Sequence, residues 1–250
     1  MKKYLLILLF VILTFNLKSQ ILNVEGNRFY NDSDKISSVI KFNHFFNNTD
    51  KKVTSLSSML HLQYKDDSTA LYLVIFDFNR MTSGNVILDD YRVGHLRYNH
   101  KITKRITYEF FIQALYNYTI NINCRTDIGT GLRIKSIHQG VYKVYNGFLI
   151  MKENYFNNYQ SAYTNNYRYD FYISFNLNIE KNLYLTNTTY YQPKINEFSN
   201  YRILNESTLT LKVFKHFALE ESVNFMTQNV KPKDVSASNF LNKISLILLF

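Results

Sequence analysis

The thirteen residues at positions 167–179, YRYDFYISFNLNI, alternate between two kinds of side chain. Aromatic and aliphatic residues occupy the odd positions, whereas mostly polar residues occupy the even ones. A period of two places the two sets on opposite faces of an extended strand. Positions 105–118 and 122–135 show the same alternation. These stretches exceed the ~5–6 residues of an ordinary soluble strand, and each can cross a bilayer as a tilted strand, which takes ~9–11 residues.

The alternation recurs along the rest of the chain. Nine more stretches carry it, at 35–46, 53–65, 69–80, 90–100, 142–153, 182–192, 202–214, 217–228 and 239–250. The connections between them alternate between tight turns, as at 102–104, and longer polar segments, as at 81–89 and 194–201. A soluble sandwich also alternates, but long strands with 21 Tyr and 20 Phe favour the aromatic girdles of a membrane barrel. The sequence predicts an all-β fold: an antiparallel, up-and-down transmembrane β-barrel of about twelve strands over 35–250, with a polar lumen.

The first twenty residues, MKKYLLILLFVILTFNLKSQ, have the anatomy of a secretory signal peptide. Lys2 and Lys3 precede an apolar stretch at 4–15, and a polar segment ends at Gln20. The apolar stretch is shorter than the ~20 residues that a membrane-spanning helix needs. We therefore expect residues 1–20 to be cleaved, residues 21–34 to form an N-terminal segment or an extra strand, and the protein to reside in the outer membrane of a Gram-negative bacterium.

The chain ends in an alternating strand, NKISLILLF, whose last residue is Phe250. Such a terminal strand is suited to β-augmentation by the barrel-assembly machinery. Ile247 and Leu249 interrupt the alternation, so the terminal strand indicates a membrane barrel only in combination with the signal peptide and the other alternating strands. We interpret Phe250 as a C-terminal insertion signal.

Composition excludes several classes of function. The net charge is +10, of which Lys2, Lys3 and Lys18 contribute three, so that residues 21–250 carry 10 − 3 = +7. The basic residues are scattered, and no nucleic-acid-binding module or phosphate-binding glycine loop occurs. The single Cys124 excludes an internal disulfide and a zinc site built on several cysteines. We expect no cofactor, no metal and no nucleic acid; the expected partners are outer-membrane lipid, lipopolysaccharide and the barrel-assembly machinery.

The candidate site consists of charged and polar residues on the strand faces that lie opposite the apolar faces. We predict that they form a lumen-facing polar network: His95, Arg97, Glu109, Gln113, Arg125, Asp127, Arg133, Arg168 and Asp170. Arg97 and Glu109 are expected to lie directly opposite each other across a turn at 102–104.

Four functions are compatible with this network. It could interlock to fill the barrel as a structural element, or it could line a small-solute pore that favours anions. Alternatively, the polar loop at 157–166 could bind a surface ligand. A membrane-embedded hydrolase has the least support, because no nucleophile motif is present; we expect no enzyme.

Several segments together resemble the salt-induced outer-membrane protein family, number 481 among domains of unknown function, in the version found in Bacteroidetes. They are HLRYN at 95–99, YEFFIQALYN at 108–117, CRTDIGTGLR at 124–133, YYQP at 190–193 and NYRIL at 200–204. The resemblance extends from about residue 23 to residue 250. It implies a membrane barrel and a possible link to envelope stress, but no particular molecular activity.

Overall fold

The computed structural model describes residues 35–48, 52–66, 69–119, 122–157, 162–230 and 237–250. These residues form twelve strands: β1 Ile36–Asn48, β2 Lys52–Asp66, β3 Ala70–Ser83, β4 Val86–Lys101, β5 Ile106–Asn117, β6 Ile122–Gln139, β7 Tyr142–Asn157, β8 Ala162–Glu180, β9 Leu183–Lys194, β10 Glu197–Phe214, β11 Phe217–Gln228 and β12 Ser238–Leu249. Each strand pairs antiparallel with its neighbours in sequence, and β12 pairs with β1 to close the barrel. The prediction of a twelve-stranded antiparallel barrel is confirmed. Within the described part of the chain, no helix is long and apolar enough to cross a membrane.

The predicted signal peptide at 1–20 and the predicted segment at 21–34 lie outside the described residues. Because the number of strands is even, the start of β1 and the end of β12 lie at the same end of the barrel, which we call the terminus end. The turns after β2, β4, β6, β8 and β10 lie there too.

Several strands are longer than the sequence predicts, mainly at the end opposite the termini. Much of the expected connection at 81–89 belongs to β3 and β4, which are joined by a tight turn at Gly84. Gly84 has a φ of +58°, a conformation that costs glycine little because it has no Cβ. Likewise β7 and β8 leave only residues 158–161 of the expected binding loop outside the strands. In these strands the pairing continues beyond the apolar residues, because neighbouring strands are joined by backbone hydrogen bonds that do not depend on the side chains.

The two faces of each strand differ in the way the alternation predicts. On β8, half of Ile173 is exposed, whereas Ser174 is completely buried. Exposed apolar residues recur around the outer wall, for example Phe76, Leu96 and Phe148. An apolar outer surface is the arrangement that a hydrocarbon environment stabilises.

The barrel interior is mixed, whereas the sequence predicts a polar lumen. Buried charged residues share it with apolar clusters; one of these contains Phe111, Leu149, Tyr172 and Tyr190. Small residues on β6 and β7 make room for these rings. A Cβ added at Gly129 would clash with the Phe111 ring, and one at Gly147 would clash with the Tyr172 ring.

The seam that closes the barrel is short. Four residue pairs join β1 to β12, from Val39–Leu249 to Phe42–Leu246, against thirteen between β1 and β2. Phe250 extends the seam: its amide donates to the Ser38 carbonyl (2.9 Å), and its carbonyl accepts from the Ser38 amide (2.8 Å). The backbone of the last residue therefore takes part in barrel closure.

Candidate functional site

The first part of the interior network centres on Glu109 of β5, which is completely buried. Its Oε2 lies 3.4 Å from Nη1 of Arg97 on β4 and accepts a hydrogen bond from the Tyr172 hydroxyl on β8 (2.9 Å). Since β5 and β8 are not adjacent in the barrel, this bond must cross the interior. The contact also shows that the face of β5 that carries Glu109 and the face of β8 that carries Tyr172 both point into the interior.

The register of this pair differs from the prediction. Arg97 lies opposite Phe111, and Glu109 lies opposite Asn99. The turn occupies residues 102–105, where the amides of Ile102 and Thr103 both donate to the Ile106 carbonyl (3.0 Å each). Lys101 pairs with Thr107, so five residues separate the paired positions instead of the expected three. This moves the partner by two positions and preserves the inward parity. The predicted direct opposition was wrong, but the ion pair forms along the diagonal, within reach of long side chains.

A chain of hydrogen bonds runs from this pair along β4, β5 and β6. Nε of Arg97 donates to Nε2 of His95 (3.3 Å), and Nδ1 of His95 lies 3.1 Å from Oε1 of Gln113. Nε2 of Gln113 donates to Oδ2 of Asp127 (3.1 Å), which also accepts from Nε of Arg125 (3.1 Å). Buried polar groups are retained when they are bonded in this manner.

Glu153 of β7 connects the chain to the other side of the barrel. Its carboxylate lies 3.4 Å from Nε of Arg168 and 4.0 Å from Nε of Arg125, and it accepts a hydrogen bond from Nη2 of Arg202. Asp170 accepts from Nε2 of Gln192 (2.8 Å), whose backbone carbonyl accepts from Arg168 (3.1 Å). We call the connected set the central network: His95, Arg97, Glu109, Gln113, Arg125, Asp127, Glu153, Arg168, Asp170, Tyr172, Gln192 and Arg202.

The central network contains eight of the nine residues predicted from the sequence. Arg133 lies apart, nearer the terminus end, with its guanidinium carbon 3.7 Å from the centre of the Tyr145 ring. Sequence reasoning missed Glu153 and Arg202, which stand at the ends of their predicted strands. Their inward parity was a usable signal, because a charge on the inward face of a barrel strand needs a partner in the interior.

A second charged cluster lies where β1 approaches β11. Nζ of Lys41 lies 2.6 Å from Oε1 of Glu220, and Oε2 of Glu220 accepts from the Thr210 hydroxyl (3.1 Å). Asp77, Glu206 and Lys243 line the small cavity of about 50 Å³ beside this pair. The sequence analysis did not single out these residues.

Larger cavities lie toward the two ends of the barrel. The cavity at the terminus end has a volume of about 300 Å³ and reaches Tyr145 and Asn176. A cavity of about 490 Å³ at the other end is lined by residues such as Met81, Asn117 and Leu241. The two share no lining residue. Between them lie the central network and the rings of Phe111, Tyr172 and Tyr190.

The chain also matches known proteins. Residues 40–250 match the family DUF481, which is described as a protein family of unknown function. The chain belongs to this family. A search of curated protein sequences found no significant match.

Two solved structures share the barrel fold of this DUF481 protein. The outer membrane channel from Pseudomonas putida F1 has a TM-score of 0.54 at 10% identity, covering 92% of this chain and all of its own. The NanC porin has a TM-score of 0.51 at 8% identity, covering 85% of this chain and 97% of its own. Neither is described as an enzyme. At such low identity the likeness shows the fold alone.

Proposed function

We propose that this protein is an outer-membrane β-barrel closed at mid-height by its own side chains, with a structural role in the cell envelope. The observation that carries the proposal is the continuous central network from Arg97 to Asp170. Its four arginines, Arg97, Arg125, Arg168 and Arg202, face four carboxylates, Glu109, Asp127, Glu153 and Asp170, so the formal charge of this set is 4 − 4 = 0.

Opening the barrel would require this network to separate. The single carboxylate of Glu153 contacts three arginines, Arg125, Arg168 and Arg202. Breaking a buried ion pair typically costs ~3–5 kcal/mol, so separating this cluster is costly. The rings of Phe111 and Tyr172 pack into the room left by Gly129 and Gly147, so that both charge pairing and packing favour the closed state.

Several features support the outer membrane as the location. The outer wall is apolar, the strands alternate, and the chain begins with the anatomy of a signal peptide. We propose that the signal peptide is cleaved, that the barrel-assembly machinery reads the final strand and Phe250, and that lipid and lipopolysaccharide surround the barrel. The link to envelope stress rests on the family resemblance.

A small-solute, anion-favouring pore is the second candidate. It is favoured by the cavity at the terminus end, where every charged lining residue in the described ranges is basic, including Arg133 and Lys135. The hydrolase alternative receives no comparable support, because the sequence contains no recognisable nucleophile motif.

Planar-bilayer recording separates the two candidates. We expect no steady conductance from the wild-type protein, whereas the double variant Phe111→Ala/Tyr172→Ala should conduct, because it removes two rings from the interior. The matched control Phe76→Ala/Phe148→Ala removes two lipid-facing rings and should stay closed. Regular, anion-favouring steps from the wild type would contradict the closed barrel and support the pore.

A further inference from the structure

The cavity at the terminus end has an unusual charge. Its lining residues come from β2 to β8, from Thr69 and from the turn that follows β4. Eight of its lining residues are basic: Lys65, Lys101, Lys104, Arg105, Arg133, Lys135, His138 and Lys143. No aspartate or glutamate from the described ranges is among its lining residues. With His138 neutral, the lining carries a formal charge of +7.

Strand pairing fixes the positions of these cations. The Lys135 amide donates to the Arg105 carbonyl, and the Lys101 amide donates to the Thr69 carbonyl, at 2.8 Å each. These bonds hold the end of β4 beside Thr69 and hold Lys135 of β6 beside the turn that follows β4. Several cations are therefore supplied by backbone segments that the barrel itself keeps close together.

Arg133 is held in a defined orientation. Its guanidinium lies 3.7 Å from the centre of the Tyr145 ring, in the geometry of a cation–π contact. A planar guanidinium can bind two oxygens of a carboxylate or phosphate at once, and lysine supplies a point charge. The hydroxyl-bearing residues Thr69, Thr103 and Thr107 also line the cavity.

The contrast with the central network is informative. There each arginine is matched by a carboxylate within the set, whereas the charged side chains that line the terminus-end cavity, among the residues that the structure describes, are all basic. A concentration of positive charge in a partly enclosed space attracts anions, and the attraction grows with the charge of the anion. The cavity volume of about 300 Å³ is at the lower end of the range for small-molecule sites.

We propose that this cavity binds a small soluble oxyanion carrying two or more negative charges, of the phosphate class. The barrel wall separates the cavity from surrounding lipid, so its occupant enters from the aqueous side. The proposal does not depend on whether the barrel conducts, because a cavity that ends at a closed mid-section can still bind a solute.

Calorimetric titration of the full-length protein in a non-ionic detergent, with pyrophosphate as the probe, tests the site. We expect saturable binding that weakens with added salt. The variant Lys101→Gln/Lys135→Gln should bind at least tenfold more weakly. The control Lys152→Gln removes an exposed lysine from the outward face of β7 and should change the affinity less than twofold. Far-UV circular dichroism verifies that each variant is folded.

Two outcomes would overturn the site: no saturable binding to the wild type, or equal affinities for the wild type and the double variant. A further arm uses the wild type in phosphatidylcholine vesicles with and without phosphatidylglycerol. A soluble ligand predicts the same pyrophosphate affinity in both. If phosphatidylglycerol displaces pyrophosphate, the occupant is a lipid headgroup and the soluble-anion proposal is wrong. Conductance plays no part in these readouts, so they stand apart from the test of the closed barrel.

Discussion

Glu153→Gln should destabilise the barrel strongly while preserving the shape of the side chain. The wild-type cluster pairs Arg125, Arg168 and Arg202 with the carboxylates of Asp127 and Glu153, a formal charge of 3 − 2 = +1. The substitution raises this charge to 3 − 1 = +2 in a region where Glu153 is only 2% exposed. Removing one partner of a buried ion pair costs ~3–5 kcal/mol, which corresponds to roughly two to four powers of ten in the unfolding equilibrium.

Urea unfolding in lipid vesicles measures this change. The chain contains no tryptophan, so far-UV circular dichroism and tyrosine fluorescence are suitable probes. The control is Glu197→Gln, because Glu197 is exposed and pairs with Lys194 at 3.5 Å; exposed pairs contribute only ~0–1 kcal/mol. If the two variants lowered the free energy of unfolding equally, Glu153 would not hold the network together, and the reasoning would fail.

Two further predictions, each with its comparison variant, concern the packing of the interior and the outer wall. Gly147→Ala should displace the Tyr172 ring and cost ~1–3 kcal/mol of unfolding free energy, whereas Gly94→Ala, whose Cβ would lie 3.6 Å from its nearest neighbour, should cost less; equal urea midpoints would argue against a tightly filled interior. On the outer wall, Asn187 donates to the Ser207 hydroxyl (2.7 Å). Ser207→Ala alone should cost ~1–3 kcal/mol because it leaves the amide without this acceptor, whereas Asn187→Leu/Ser207→Ala should be nearly neutral; a double variant less stable than the single one would contradict this.

The sequence predicted which residues face inward better than which residues meet. Arg97 and Glu109 are both buried in the interior, but their predicted direct opposition was wrong because five residues rather than three separate the paired ends of β4 and β5. Strand ends were also misjudged, as in β8, which begins at Ala162 rather than near residue 167. Polar side chains there suggested a loop, yet backbone pairing with β7 continues through them.

The residues of the candidate site also fall into those that the sequence predicts and those that it does not. Eight residues of the central network were predictable because inward charges on adjacent strands must find partners. Glu153 and Arg202 were not predicted as partners because β7 and β10 are separated in the barrel, and their contact depends on the distance across the interior. The basic cavity escaped prediction for a similar reason: its lysines come from separate strands and turns, each ordinary by itself.

The sequence by itself determined the strands, their number and their two faces. The alternation of apolar and polar side chains follows from the local geometry of an extended backbone, and it can be recognised even where the ends of a strand are misplaced. Only the tertiary structure decided the pairing across the interior, such as Tyr172 with Glu109, and the gathering of cations around Arg133. Those contacts depend on turn length, on register and on closure between β1 and β12. These contacts join residues that are far apart in the chain, as Tyr172 and Glu109 are, so no local pattern encodes them.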